Sequence, residues 1–387
     1  MSASPDKDLD WSGNLPAIPS STGVFWPSIA AGLLCVFLGI YLVLTPVPSE
    51  TSVLADTSSP SPDQTAEPVV MDQPDGLRVL RCAFVDSKDS TFALGMREFA
   101  QGVAEQSKGE LSIELLPGGL VDGKKLAERE LVELVKKGEL DMALSTTSPL
   151  SNFNHDLDMF DLPLLFKGFG HVDRVLDGTV GDQLLSSLQS HDLSGLAYFE
   201  VGFRIFSSSI PLPDYESFKG KKLRVMRSVT LSRFVKSIGG DPVPAPVNKI
   251  YLMGKEGYID GAGRTYPTYW DFRLYDVHRF ISETRHAYSV KMLLINKKLE
   301  GELTEKSKKS LLVSARSASR LQRKKQREAD MSVKELAKDE GIKIFELTEG
   351  DRKKFVDASV ELYDEYRKNQ SKEILQKVEQ EAAVSTP

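Results

Sequence analysis

Leu77-Arg-Val-Leu-Arg-Cys-Ala-Phe-Val85 is an apolar, strand-like run, and the order of elements that follows it decides the fold. Phe92, Met96, Phe99 and Val103 recur at helical spacing, and this predicted helix ends near Gly109. In Leu111-Ser-Ile-Glu-Leu115 the apolar residues alternate, as they do on a half-buried strand. Pro117-Gly118-Gly119 then turns the chain into a second helix, with Ala127, Leu131, Leu134 and Val135 facing inward and Gly138 at its C-cap. Leu140 to Ser145 reads as a third strand, and the same alternation returns after Gly195. Strands alternating with helices of this length predict an α/β fold with a largely parallel sheet, whose ligands sit at the carboxyl ends of the strands. At 387 residues the chain exceeds what one hydrophobic core serves, which predicts two lobes with a cleft between them.

Before Leu77 the composition changes twice. Val24 to Leu44 is free of charge and, as a helix, would span about 31 Å, the thickness of a bilayer core. This segment reads as a transmembrane anchor or an uncleaved signal, preceded by a short tail over 1–23. Residues 45–76 are rich in Pro, Ser, Thr, Asp and Glu and have few core-forming side chains, so a disordered linker is expected there. The remainder is ordinary for a globular protein, with 41% hydrophobic and 27% charged residues and a net charge of −6. That acidic balance does not favour nucleic acid, and it means that any anion site must be built from local cations. The two cysteines, Cys35 and Cys82, lie in unrelated apolar stretches and predict no disulfide.

Two arginines stand out because they interrupt apolar, strand-like runs. Arg204 lies in Gly202-Phe-Arg-Ile205, and Arg224 in Lys222-Leu-Arg-Val-Met-Arg-Ser228, which also holds Arg227. A guanidinium keeps its proton in a protein and presents a rigid fork of donors, so a pair of them suits a carboxylate. A pocket for an organic acid is therefore expected. Enzyme signatures are missing: the chain has no G-x-S-x-G elbow, phosphate loop, G-x-G-x-x-G or H-E-x-x-H. His155, Asp156, Asp158 and Asp161 form the one metal-like grouping, and alternating acids of this kind are expected to be solvated. Accordingly, no catalytic residue, metal or cofactor is expected. Toward the C terminus, Thr304 is expected to cap a long charged helix reaching Gly341, with the basic run Arg320 to Arg327 on its solvated face. Ile342 to Leu347 reads as a strand, Thr348 to Arg367 as a helix, and residues 368–387 as a loosely held tail.

Asp161-Leu-Pro-Leu-Leu-Phe166, His171 and Val175-Leu-Asp-Gly178 resemble the solute-binding proteins of tripartite ATP-independent periplasmic (TRAP) transporters. Phe218-Lys-Gly-Lys-Lys-Leu-Arg-Val225, Ser228, Phe234, Gly239 and Pro242-Val-Pro244 follow the order of the C4-dicarboxylate, DctP-like branch. Tyr251, Gly257, Ile259-Asp-Gly-Ala262, Pro267, Tyr275-Asp-Val277 and Thr284-Arg-His286 continue the match, which runs from about Leu77 to about Arg367. The resemblance implies a two-lobed periplasmic-binding-protein fold of the type II-like TRAP kind, with a long helix spanning both lobes. Lobe I would comprise 77–200 with about 288–320, and lobe II 201–287 with about 321–367. It further implies an extracytoplasmic receptor, in the periplasm and tethered to the inner membrane by its N-terminal helix. Such a receptor captures a carboxylate, with a C4-dicarboxylate as the branch's type, and delivers it to the membrane subunits of a TRAP transporter. A membrane-anchored sensor using the same pocket is the alternative. Arg224 takes the position of the family's essential arginine and Arg204 that of the second. In the loop Ala262 to Pro267 the pattern departs, with Gly263 in place of an acidic residue and Arg264 in place of an asparagine. The expected ligand contacts are thus Arg224, Arg204, Arg264 and Arg227, with Tyr266 and Trp270 as walls.

Overall fold

The alternation that begins at Leu77 forms as predicted in the computed structural model, which describes residues 77–383. The expected membrane segment, 24–44, and the linker, 45–76, lie outside the described residues; among these, no helix is long and apolar enough to cross a membrane. Strand β1 (Arg78–Phe84), helix α1 (Thr91–Ser107) and strand β2 (Leu111–Leu116) come first. A small hairpin, β3 (Leu120–Val121) and β4 (Lys124–Lys125), leads to helix α2 (Glu128–Lys137) and strand β5 (Met142–Thr146). Ala127, expected on the inner face of the second helix, is its N-cap instead, and Glu130 reaches back to the Ala127 amide at 2.7 Å. Gly138 is the left-handed C-cap, at φ 76°.

Short helices α3 (Thr147–Leu150), α4 (Phe169–Asp177) and α5 (Thr179–Ser186) lead to the 16-residue strand β6 (Leu193–Ser208). Then come β7 (Lys222–Val225), α6 (Val229–Ser237), β8 (Asp241–Pro244), α7 (Ile250–Lys255), β9 (Gly261–Arg264) and α8 (Tyr266–Asp271). The 17-residue strand β10 (Phe280–Asn296) follows, then α9 (Lys297–Glu302), α10 (Glu305–Asp339), β11 (Lys343–Glu346), α11 (Glu349–Ala358), α12 (Val360–Asn369) and α13 (Lys372–Ala382).

These strands form one sheet in the order β2-β1-β5-β10-β6-β9-β7-β8, with β11 added beside β10. Its two wings are parallel, as expected: β1 pairs in parallel with β2 and β5, and β7 with β8 and β9. The centre is not. β6 and β10 pair antiparallel along most of their length and join the wings by antiparallel edges, so the sheet is mixed. The result is a two-lobed α/β architecture in which two long strands run from one wing into the other. Their register shifts at three places, including the break between Ser282 and Ala287. Such irregularities bend a strand locally. Gly202, at φ 112°, lies in this region, where a Cβ would stand 3.2 Å from a carboxylate oxygen of Asp330.

Thr304 caps the 35-residue helix α10, accepting a bond from the Ser307 amide at 3.1 Å. The helix is about 52 Å long and packs on α1 and β6 near its start and on α8 and β11 near its end. Its inner face is built from Ser310, Ser314, Ala315, Ala318 and Ser319, small residues that let α1 approach closely. A Cβ on Gly102 would stand 3.0 Å from Ser314 Oγ. Gln322 clamps the central sheet by accepting from the Glu200 amide (2.8 Å) and donating to the Glu200 carbonyl (3.0 Å).

Two expectations for the C-terminal third are corrected. Arg323 and Arg327, in the run expected to be a solvated face, point inward: Arg323 pairs with Asp177, and Arg327 with Asp173 (2.7 Å) and the buried Glu200 (2.8 Å). The segment expected to be a loose tail folds as α13, which buries Ile374, Leu375 and Val378 against α4 and α5. His171 meets the Val378 carbonyl at 2.8 Å. The apolar spacing Ile374, Leu375, Val378 carries the helical period that explains this packing.

Candidate functional site

Arg224 lies near the carboxyl end of β7, Arg264 is the last residue of β9, and Arg204 is in the middle of β6. The pairing of β9 with both β6 and β7 draws the three together. All three side chains are buried, at 8% exposure for Arg204, 4% for Arg224 and 2% for Arg264. Arg204 Nη2 donates to the Gly263 carbonyl (2.7 Å), and its Nη1 lies 3.4 Å from Ser289 Oγ. Arg224 Nε donates to the Ala245 carbonyl (2.7 Å). The three nitrogens of the Arg264 guanidinium have no partner among the described residues, nor does Arg204 Nε.

Buried donors are normally paired, and leaving a charged one unpaired costs several kcal/mol on general grounds. Electrostatics agree with the geometry. Burial, followed by the neighbouring Arg204, pushes Arg264 down to about 9. Arg224 is lowered by burial and then by both Arg264 and Arg204. Even so lowered, Arg264 is cationic at neutral pH. One carboxylate faces the group: Asp161, next to Ser228, raised to about 6 mainly by burial and opposed by the Ser228 hydrogen bond and by Arg204. Three guanidiniums against one acid leave a local excess of positive charge that an anion would neutralise.

Asp161 titrates with a defined sign. Its pKa in the fold is raised above the ordinary 3.8, so the folded state holds the extra proton between about 4 and 6. The stability drawn from that proton is present at low pH and is lost as pH rises through about 6. Asp161→Asn is therefore expected to flatten this part of the stability curve, measured by denaturation at pH 4 to 7; an unchanged curve counts against the assignment.

Gly263 has a packing reason for lacking a side chain. A Cβ there would stand 3.2 Å from His286 Nε2 and 3.4 Å from the Phe206 ring. His286 stacks on Phe206 at 4.2 Å and bonds Thr284 Oγ1 at 2.7 Å. Burial, then Arg204, lowers its pKa and keeps it neutral. His278, bonded to Ser207 Oγ at 2.9 Å, is pushed down to about 3 by burial and then by Arg264.

The other sequence-predicted contacts lie elsewhere. Arg227 is exposed in the loop after β7, where its carbonyl is 3.5 Å from Ser148 Oγ. Tyr266 donates to Glu283 (3.0 Å), and the Trp270 ring packs on Tyr275 at 4.6 Å. Both side chains thus have partners outside the arginine cluster. One charged group was missed: Lys291, buried in β10, bridges Asp86 (2.6 Å) and Glu128 (2.9 Å). Burial opposes its charge, but the two carboxylates outweigh that and raise its pKa. The signal was present, since Lys291 interrupts the apolar run Val290 to Ile295 just as Arg204 and Arg224 interrupt theirs.

Comparison with known proteins agrees with this architecture. Residues 83–369 match the DctP model, described as bacterial extracellular solute-binding protein, family 7. The chain is 29% identical to the 2,3-diketo-L-gulonate-binding periplasmic protein of Escherichia coli, over 72% of this chain and 84% of that one. A TRAP periplasmic solute-binding protein from Ochrobactrum anthropi, with its C terminus bound in its ligand-binding pocket, superposes with a TM-score of 0.74 at 27% identity, over 79% of this chain and 94% of that one. A second, from Xanthobacter autotrophicus with bound β-D-galacturonate, gives a TM-score of 0.70 at 26% identity, over 79% and 100%. The chain belongs to the DctP family of extracellular solute-binding proteins, the solute receptors of TRAP transporters.

Proposed function

We propose that this receptor takes an acid with two anionic groups, and that Arg224, Arg204 and Arg264 hold it. The observation that carries the reading is the Arg264 guanidinium, fully buried with its three nitrogens unpartnered beside two further arginines. Arg224 and Arg204 grip one carboxylate, and Arg264 takes the second group; with Asp161 as the one acid nearby, two negative charges balance the cluster. The C4-dicarboxylates bound by one relative are acids of this class, whereas the 2,3-diketo-L-gulonate and β-D-galacturonate of others carry a single carboxylate, so dicarboxylates and aldarates are the ligands the cluster favours. Residues 77–200 with about 288–320 act as one lobe and 201–287 with about 321–367 as the other, and closure between them removes water from the acid. The ligand is bound and released unchanged, without catalysis. From the periplasm, where the segment 24–44 tethers the receptor to the inner membrane, the closed form passes the acid to the transporter's membrane subunits. Delivery is favoured over sensing by the family to which the chain belongs.

A thermal-shift and calorimetric series on the full-length chain with mono- and dicarboxylates, aldonates, uronates and aldarates tests this. A ligand that binds the native state raises the melting temperature, and at least one acid is expected to do so; none doing so would overturn the receptor assignment. Arg264→Asn, which restores the residue of the family pattern, is expected to weaken diacids at least tenfold and to leave monoacids nearly unchanged. A wild-type preference for a monoacid that is insensitive to Arg264→Asn would sink the diacid reading alone.

A further inference from the structure

A cavity of about 460 Å³ lies apart from the three arginines, none of which lines it. Its walls come from α4, β6, α8, β10, α10 and α11, through Phe169, Phe203, Tyr266, Arg285, Asp330 and Arg352. The volume falls within the roughly 300–1,000 Å³ of small-molecule sites. Part of its charge is already balanced. Lys334 pairs with Glu283 (2.6 Å) and Glu346 (3.3 Å), and Tyr266 donates to Glu283.

Arg285 and Arg352 are different. Among the described residues neither has a carboxylate within 4.0 Å, and the side-chain hydrogen bond of Arg352 is a long 3.5 Å contact to the Thr284 carbonyl. The Arg285 guanidinium lies over the Phe203 ring at 4.0 Å and faces Phe169 at 5.4 Å. It reaches that place at a backbone cost: Arg285 has φ 47°, the left-handed region that a residue with a Cβ rarely adopts, inside the break in register between Ser282 and Ala287. Two further cations beside this cavity therefore lack a carboxylate at ion-pair distance, Glu283, Asp330 and Glu200 acting on Arg285 from farther off, and Arg285 sits at a left-handed backbone position. Across from them, Asp330 Oδ1 is buried without a partner. Burial, then Glu200, pushes Asp330 up to about 8 against Arg285 and Arg327, which weakens its repulsion of an anion in the cavity.

We propose that this cavity is a second binding site, for a small carboxylate with a flat apolar body, whose carboxylate is held by Arg285 and Arg352 and whose body lies against Phe203 and Phe169. The aromatic walls disfavour a ligand that is polar all round, and the two arginines without an ion pair favour an anion. The site is independent of how the first arginine cluster is used.

Benzoate is the probe, titrated by calorimetry into the full-length chain and into its Arg224→Ala variant, in which the first cluster is disabled. Equal binding to both is expected. Arg285→Gly removes the guanidinium at a position whose backbone suits glycine, so the fold is kept or stabilised, and benzoate affinity is expected to fall at least tenfold. Adding Arg352→Ala should abolish it. No benzoate binding to the wild type, loss of binding in Arg224→Ala, or full affinity in a folded Arg285→Gly would each overturn the proposal.

Discussion

Arg224→Ala is expected to abolish acid binding while leaving the fold intact. Hydrogen bonds to charged groups are worth about 1.5–3 kcal/mol each, so losing a two-bond clamp removes about 3–6 kcal/mol. A micromolar complex has about 8 kcal/mol in all, and the roughly 2–5 kcal/mol left corresponds to a dissociation constant of about 0.1 mM or weaker. The free protein should not suffer. Arg224 is a buried cation between two others, with a backbone bond through Nε, and removing it relieves desolvation and like-charge repulsion. Calorimetry should show no heat with the acid that best stabilises the wild type, and the melting temperature of the ligand-free variant should be equal or higher. Retained affinity would remove Arg224 from the site, and a collapsed fold would give it a structural role instead.

Lys291→Met is expected to have the largest effect on stability. Lys291 is buried at 4% exposure and bonds Asp86 and Glu128, and Glu128 also accepts from the Thr146 amide at 3.2 Å. Truncating the cation leaves two neighbouring carboxylates without their shared counter-charge and repelling each other. Breaking a buried pair from one side costs about 3–5 kcal/mol. Urea denaturation should show that loss at neutral pH. A loss of less than about 1 kcal/mol would count against a structural role for the bridge.

Local patterns were legible wherever adjacent residues settle the matter. The helix over Phe92 to Val103, the Gly138 C-cap, the Thr304 N-cap and the β-prone runs at Leu77, Leu111 and Leu140 all formed, with boundaries shifted by one or two residues. Failures came from contacts made across the chain. The run Arg320 to Arg327 looks solvated by itself, and only the arrival of Asp173, Asp177 and Glu200 turns Arg323 and Arg327 inward. Helix α13 likewise needs the face offered by α4 and α5 before its three apolar residues have anything to cover.

Residue types and their order determined that this chain is an α/β receptor with cations set in apolar strands, because strand period, helix period and the cost of burying a guanidinium are local quantities. Tertiary structure alone decided which cations meet. Strand β9 wedges between β6 and β7, and that pairing, among residues up to 60 positions apart (Arg204 and Arg264), concentrates three charges where one acid answers them. It also decided that the sheet's centre runs antiparallel, that Tyr266 bonds Glu283 and that Trp270 packs on Tyr275. Register and long-range electrostatics depend on the whole fold, since a charge's partner is set by distance in space and not by position along the chain.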